Sequence, residues 1–219
     1  MSARRTPVAV LVSGRGSNMA ALIEAAKAPD YPAEIVLVIS NRPGAGALDT
    51  AATAGIATSV IDHKAFATKA AFEAAVAEAI EASGAEFICL AGFMRVLSGA
   101  FVDRFAGRIL NIHPSLLPSF KGLDTHERAL AEGVRIHGCS VHIVSAELDA
   151  GPIVMQAAVP VLDADTAETL AARVLACEHR IYPAALSALA SGTARLVDGH
   201  VRHVGASEPA APLIWPGAG

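Results

Sequence analysis

Residues 8–18 read VAVLVSGRGSN. Val8 to Val12 form an unbroken apolar run that stops at Ser13-Gly14. A short apolar run closed by a turn signal suits a strand buried on both faces of a parallel sheet. Met19 to Lys27 then reads as a helix. The order is therefore strand, glycine loop, helix, which is the opening of a crossover unit.

The same unit recurs downstream. Ile35 to Ile39 is a second apolar run, stopped by Asn41-Arg42-Pro43-Gly44. A helix over Ala47–Ala54 ends at Gly55, and Thr58–Ile61 is a short strand. An alanine-rich helix over Lys69–Ser83 ends at Gly84. Phe87–Leu90 and Ile109–Ile112 are further strands. Strand and helix alternating at this spacing predict an open, mostly parallel twisted sheet with helices on both faces. The C-terminal part differs. Cys139–Val144 and Ile153–Val161 alternate like paired antiparallel strands. Asp165-Thr166-Ala167-Glu168 resembles a capping box for a helix reaching about Leu189, kinked at Pro183. Leu170, Val174, Cys177 and Ile181 share one of its faces. Leu196–Val197 and Val201–His203 around Asp198-Gly199 predict a small hairpin.

The 219 residues are 53% hydrophobic, enough for a sizeable core in one α/β domain. We expect a phosphate-binding half over about 1–105, a catalytic half over about 106–204, and a loose tail over 205–219 that contains Trp215. The formal net charge of −4 carries no basic stripe for nucleic acid. The apolar run after Arg4-Arg5 is too short for a signal peptide or a membrane span. A soluble, cytoplasmic protein is expected. Three scattered cysteines, Cys89, Cys139 and Cys177, argue against a disulfide framework. No His, Cys, Asp or Glu cluster has metal-ligand spacing, so no metal is expected.

In open α/β sheets, ligands bind beyond the carboxyl ends of the strands. Three strand ends carry unusual polar sequence: SGRGSN (13–18), GFMRVLS (92–98) and NIHPSLLP (111–118). In SGRGSN, Gly14 and Gly16 let the backbone approach a ligand, and free amides at the helix start favour an anion such as phosphate. The plainer alternative is a tight turn with Ser17 or Asn18 capping the helix. It is neither a Walker loop nor a full dinucleotide fingerprint, since Met19 stands where Gly or Ala is required. Asn111 and His113, two apart on extended backbone, point the same way and can both donate to one developing oxyanion. Alone, they are as readily a loop pair bonded to backbone. Asp149, just before Ala150-Gly151-Pro152, can orient an imidazole or be an ordinary turn aspartate. Glu178 in ACEHRIYP reads by pattern as a solvated helix carboxylate.

SGRGSN, GFMRVLS, NIHPSLLP, ELDAGP (147–152) and EHRIYP (178–183), in this order and spacing, resemble the folate-dependent formyltransferases. SGRGSN points within that group to the phosphoribosylglycinamide formyltransferases of purine synthesis. The resemblance spans roughly Val8 to Val204. It implies a Rossmann-like formyltransferase fold, 10-formyltetrahydrofolate as cosubstrate, and the amine of glycinamide ribonucleotide as acceptor. It implies small-molecule partners only, with no nucleic acid or membrane, in a monomer or homodimer. Asn111, His113 and Asp149 match the family's catalytic trio. Gly16, Ser17 and Asn18 match the loop that holds the ribose phosphate, and Met94 and Glu178 match further substrate contacts. Phe93, Arg95, Val96 and Leu97, with Met94, match the wall that receives the folate. Ser145, Glu147 and Leu148 match a loop whose backbone meets the pterin. Lys69 stands where relatives often carry arginine near the folate's carboxylates, keeping the charge but losing the bidentate fork. Ala146 replaces a polar residue common in the pterin loop. Two alternatives stay open: a deformylase on the same scaffold, which passes the formyl group to water, and a non-catalytic nucleotide-binding module. The first strand starting near Val8 speaks against the regulatory domain that deformylases usually carry in front.

Overall fold

The computed structural model describes residues 4–205, 213, 215 and 216. The VAVLV run forms most of β1 (Thr6–Val12). Val8, Val10 and Val12 enter one buried cluster, Ala9 and Leu11 another, and all five are fully buried. Successive strand residues point to opposite faces, so the two clusters are the two sides of one sheet.

The chain continues through α1 (Ser17–Ala26), β2 (Ala33–Ser40), α2 (Gly46–Thr53), β3 (Ala57–Val60), α3 (Lys69–Ala82), β4 (Phe87–Leu90), α4 (Gly99–Arg104) and β5 (Ile109–His113). Then follow α5 (Thr125–Ala131), β6 (Ile136–Ile143), β7 (Ile153–Pro160), α6 (Ala167–Ala190), β8 (Ala194–Val197) and β9 (His200–His203). The seven-stranded sheet runs β3-β2-β1-β4-β5-β6-β7. Strands β3 to β5 are parallel, and β6 and β7 join antiparallel. One face packs Met19 and Leu22 of α1, Ala47 and Ala51 of α2, and Leu170 and Val174 of α6. The other packs Phe72, Val76 and Ile80 of α3 and Phe101 and Val102 of α4.

From β1 the chain moves outward to β2 and β3, then returns to β4 on β1's other side. The loops after β1 and β4 therefore diverge at this reversal and leave a crevice between them.

Two short helices, α4 and α5, were not expected in full. Six and seven residues span two turns or fewer, too little for periodicity to register. The capping box at α6 sits one residue later than expected. Thr166 is the N-cap and exchanges hydrogen bonds with Thr169. Asp165 is committed elsewhere, accepting two bonds of 2.8 Å from Arg173 and one of 2.8 Å from Leu162 N. Helix α6 continues through Pro183, whose carbonyl accepts a 2.7 Å bond from Tyr31. Its buried stripe is Leu170, Val174, Glu178 and Tyr182, while Cys177 and Ile181 lie at the stripe's margin. The fully buried Tyr182 hydroxyl lies 3.0 Å from Leu90 O and 3.1 Å from Leu110 O, so α6 is pinned to the ends of β4 and β5.

The β8–β9 hairpin turns at Asp198-Gly199, both with positive φ, as a tight two-residue turn demands. It lies against β7, where His203 Nε2 meets Val154 O at 2.8 Å. Trp215 docks there too, donating to Val161 O at 3.0 Å. The rest of the expected loose tail, apart from Gly205, Leu213 and Pro216, lies outside the described residues. Among the described residues, no helix is long and apolar enough to cross a membrane, and no group of three or more His, Cys, Asp or Glu has the arrangement of a metal site. All three cysteines are free thiols.

Candidate active site

The loop after β1 reaches α1 through Gly16, whose φ of 77° is left-handed. A Cβ there would lie 2.6 Å from Ala47 Cβ, so glycine is required on two counts. Neither Ser17 nor Asn18 caps the helix: no side chain bonds its first turn. The leading N–H groups of α1 are thus left for a ligand. Ser13, Arg15, Arg42 and Met94 line a cavity of about 350 Å³ in front of them. Met94 N donates to Ser13 Oγ at 2.8 Å, tying the loop after β4 to the loop after β1. Asn18 donates to Glu178 at 2.7 Å, and burial pushes the Glu178 carboxyl up from its usual range. Glu178 is buried behind Asn18, which lines this cavity, and is not solvated as its helix position alone suggested.

Alternation along β5 puts Ile109, Asn111 and His113 on the same face of the sheet. His142 of β6 stands directly opposite Asn111. Asn111 Nδ2 lies 3.1 Å from His142 Nε2. His142 Nδ1 is 3.2 Å from Ile143 O, so it carries the proton and Nε2 accepts from the amide. Burial lowers the His142 pKa, which favours the same neutral ring.

Between β6 and β7 the chain folds back and delivers Asp149, at φ 49°, to the two imidazoles. Its carboxylate is 3.5 Å from His113 Nδ1 and 3.8 Å from His142 Nε2. It also accepts from Gly122 N at 2.9 Å. Gly151 makes the return possible: a Cβ there would sit 1.7 Å from Ile143 O. His113 Nε2 meets Phe120 O at 3.0 Å. Both His113 nitrogens face oxygen acceptors, so a proton on each satisfies the geometry.

The structure thus brings Asn111, His113 and Asp149 together and adds His142, which sequence reasoning missed. Gly16, Ser17, Asn18, Met94 and Glu178 gather at the neighbouring cavity. Phe93 and Leu97 are partly or fully buried, while Met94, Arg95 and Val96 are exposed beside them. Leu148 and Leu123 add exposed apolar surface from the two loops that carry Asp149 and Gly122. Ser145 Oγ bonds Glu147 O at 3.1 Å within its own turn. Lys69 lies further out at the start of α3, 3.7 Å from Glu73, whose carboxylate holds Ser98 N at 2.8 Å beside Leu97.

The sequence pattern of the formyl transferase family matches residues 6–186. The chain belongs to the formyl transferase family. Among its curated relatives, the trifunctional purine biosynthetic protein adenosine-3 of Bos taurus is 52% identical over 88% of this chain. The match takes up only 19% of that larger protein, so this family member spans about a fifth of it. The phosphoribosylglycinamide formyltransferase of Escherichia coli (strain K12) is 44% identical over 86% of this chain and 89% of its own length. The crystal structure of phosphoribosylglycinamide formyltransferase from Brucella melitensis is 58% identical, covers 86% of this chain and 97% of its own, and superposes with a TM-score of 0.83. The shared formyl transferase fold is the mostly parallel sheet with an antiparallel C-terminal edge.

Proposed function

We propose that this chain transfers the formyl group of 10-formyltetrahydrofolate to the amine of glycinamide ribonucleotide, as in de novo purine synthesis. The observation that carries the reading is the convergence of Asn111, His113 and Asp149. Phosphate binding alone requires none of the three.

The ribonucleotide phosphate is read at Gly16, Ser17 and Asn18, on the uncapped start of α1, with Arg15 and Arg42 adding positive charge to the same cavity. Glu178, bonded to Asn18, and Met94, which lines the cavity, would meet the glycinamide end. The folate meets Phe93, Arg95, Val96 and Leu97 on one side and the backbone of Ser145, Glu147 and Leu148 on the other. Lys69 offers charge to its carboxylate tail.

The amine nitrogen attacks the formyl carbon, a C–N bond forms, and the carbonyl π pair moves onto oxygen. Asn111 retains one N–H beyond its bond to His142, and that proton can meet the oxyanion. The Nδ1–H of His113, held only loosely at 3.5 Å from Asp149, turns to the oxyanion as the second donor, with Asp149 balancing the imidazolium. Asp149 then accepts the proton shed by the attacking nitrogen. Collapse of the intermediate breaks the C–N bond to folate N10, and the proton held by Asp149 passes to N10, which restores the carboxylate. No enzyme acyl group is needed, and Ser115 is spent on Ser119 O at 2.6 Å. The reading carries with it a cytoplasmic setting, small-molecule substrates, no metal, and a monomer or homodimer.

The test mixes purified protein with 10-formyltetrahydrofolate, with and without glycinamide ribonucleotide, and follows folate absorbance. Deformylation that requires the ribonucleotide supports the transferase. Deformylation without it makes the protein a deformylase, and binding without turnover makes it a nucleotide-binding module.

A further inference from the structure

The turn after β5 does two jobs with its backbone. Phe120 O holds His113 Nε2 at 3.0 Å, and Gly122 N holds Asp149 at 2.9 Å. The turn is strained. Phe120 has φ 55°, a left-handed conformation that is an outlier for an aromatic residue, and Asp124 has φ 55° as well. Each such residue costs on the order of 1–3 kcal/mol and persists only where its surroundings over-determine it.

The Phe120 ring packs edge-on to His137 at 5.7 Å and against the core, and on the solvent side the turn is held by Arg128, one turn into α5. Its Nη1 donates to Lys121 O at 2.7 Å and Leu123 O at 3.3 Å. Its guanidinium lies over the Phe120 ring, 5.5 Å from the centroid, within cation–π range. One guanidinium nitrogen thus holds the carbonyls on both sides of Gly122 while the planar group covers the side chain of Phe120. Arg128 is exposed on the seven-residue α5, whose Thr125 and Ala129 are buried.

We propose that Arg128 is a positioning residue: its guanidinium holds the Phe120–Leu123 turn in the shape that aims His113 and Asp149 at the reacting atoms. It touches neither substrate. The inference rests on the transferase reading above, because it assigns Arg128 a role through that reading's catalytic pair.

Arg128→Ala should lower kcat about ten- to a hundredfold, the cost of a misplacement near 1 Å at the reacting groups. The KM for glycinamide ribonucleotide should stay within about twofold, because the phosphate loop does not contact this turn. The melting temperature should fall by only about 2–4 °C, because Arg128 is exposed and its release lets the turn relax. Methylguanidine added to Arg128→Ala should restore part of kcat. Arg128→Lys should recover little, since the shorter lysine side chain carries no planar group to cover the Phe120 ring while its nitrogen reaches the two carbonyls. Arg128→Met keeps the apolar stem and should behave like the alanine variant, which covers the case of an alanine variant that folds poorly. Wild-type kcat in Arg128→Ala or Arg128→Met overturns the inference if Asp149→Asn is inactive in the same assay. Loss of kcat that Arg128→Lys fully rescues, or that methylguanidine leaves untouched, also overturns it. Full activity in Asp149→Asn overturns the underlying reading instead.

Discussion

Asn111 and His142 face each other across the antiparallel β5–β6 pair, with the amide nitrogen 3.1 Å from the imidazole Nε2. An amide has two N–H groups, and this contact fixes the direction of the other. In the proposed reaction, His142 acts on the chemistry through Asn111.

Removing the amide should cost what losing one oxyanion donor costs. Asn111→Ala is expected to lower kcat by about a hundred- to a thousandfold. His142→Leu should cost less, about tenfold, because the amide stays and loses only its orientation. The double variant should lose no more than Asn111→Ala alone, since the two act as one unit. A double-mutant cycle in kcat checks this, and additive losses would break the link.

Asp149 carries charge that asparagine lacks, yet asparagine keeps an oxygen for Gly122 N. Asp149→Asn should lower kcat by about a hundred- to ten-thousandfold, the range of general acid–base contributions. A thermal melt and a ribonucleotide titration should match wild type. A collapsed melt would make Asp149 structural.

Gly16 tolerates no side chain, by both its φ of 77° and its contact with Ala47. Gly16→Ala should shift the loop that precedes α1 and cost roughly 1–3 kcal/mol, as overpacking does. Calorimetric titration with the ribonucleotide should show weakened binding, and urea denaturation should show the lost stability. Unchanged affinity would remove this loop from the phosphate site.

Acid should loosen the fold through His137, whose pKa burial lowers from 6.5 to about 4. A depressed histidine favours the neutral ring in the fold, so its contribution is full above pH 6.5 and is lost as pH falls towards 4. His126 and His142 are shifted the same way, and Glu178 runs oppositely because its carboxyl is pushed up. The difference between wild type and His137→Leu isolates the one ring. Urea unfolding at pH 7, 6 and 5 should show a shallower decline in the variant, and parallel curves would refute the assignment.

The parallel half was legible because the buried strands carry unbroken apolar runs and glycines, Gly55 and Gly84, close the crossover helices α2 and α3. Asn111 and His113 were legible as a pair because strand alternation is local. Their meeting with Asp149 was not, since it depends on how the β6–β7 return folds over the sheet. His142 was hidden for a related reason. Its strand, IHGCSVHI, is buried almost throughout, and only the register with β5 sets this histidine against Asn111. Glu178 looked like a surface carboxylate because a helical pattern does not say which neighbour covers a turn. The family resemblance singled it out, and the contact with Asn18 gives it a place at the site.

The last strand of the main sheet, β7, would otherwise offer its outer carbonyls to any passing extended chain. His203 takes the carbonyl of Val154, and Trp215 takes that of Val161, just past the strand's end. The hairpin and the indole thus act as a hem on the fabric of the sheet. Loss of both contacts should show itself as concentration-dependent self-association in light scattering, with turnover per folded molecule intact.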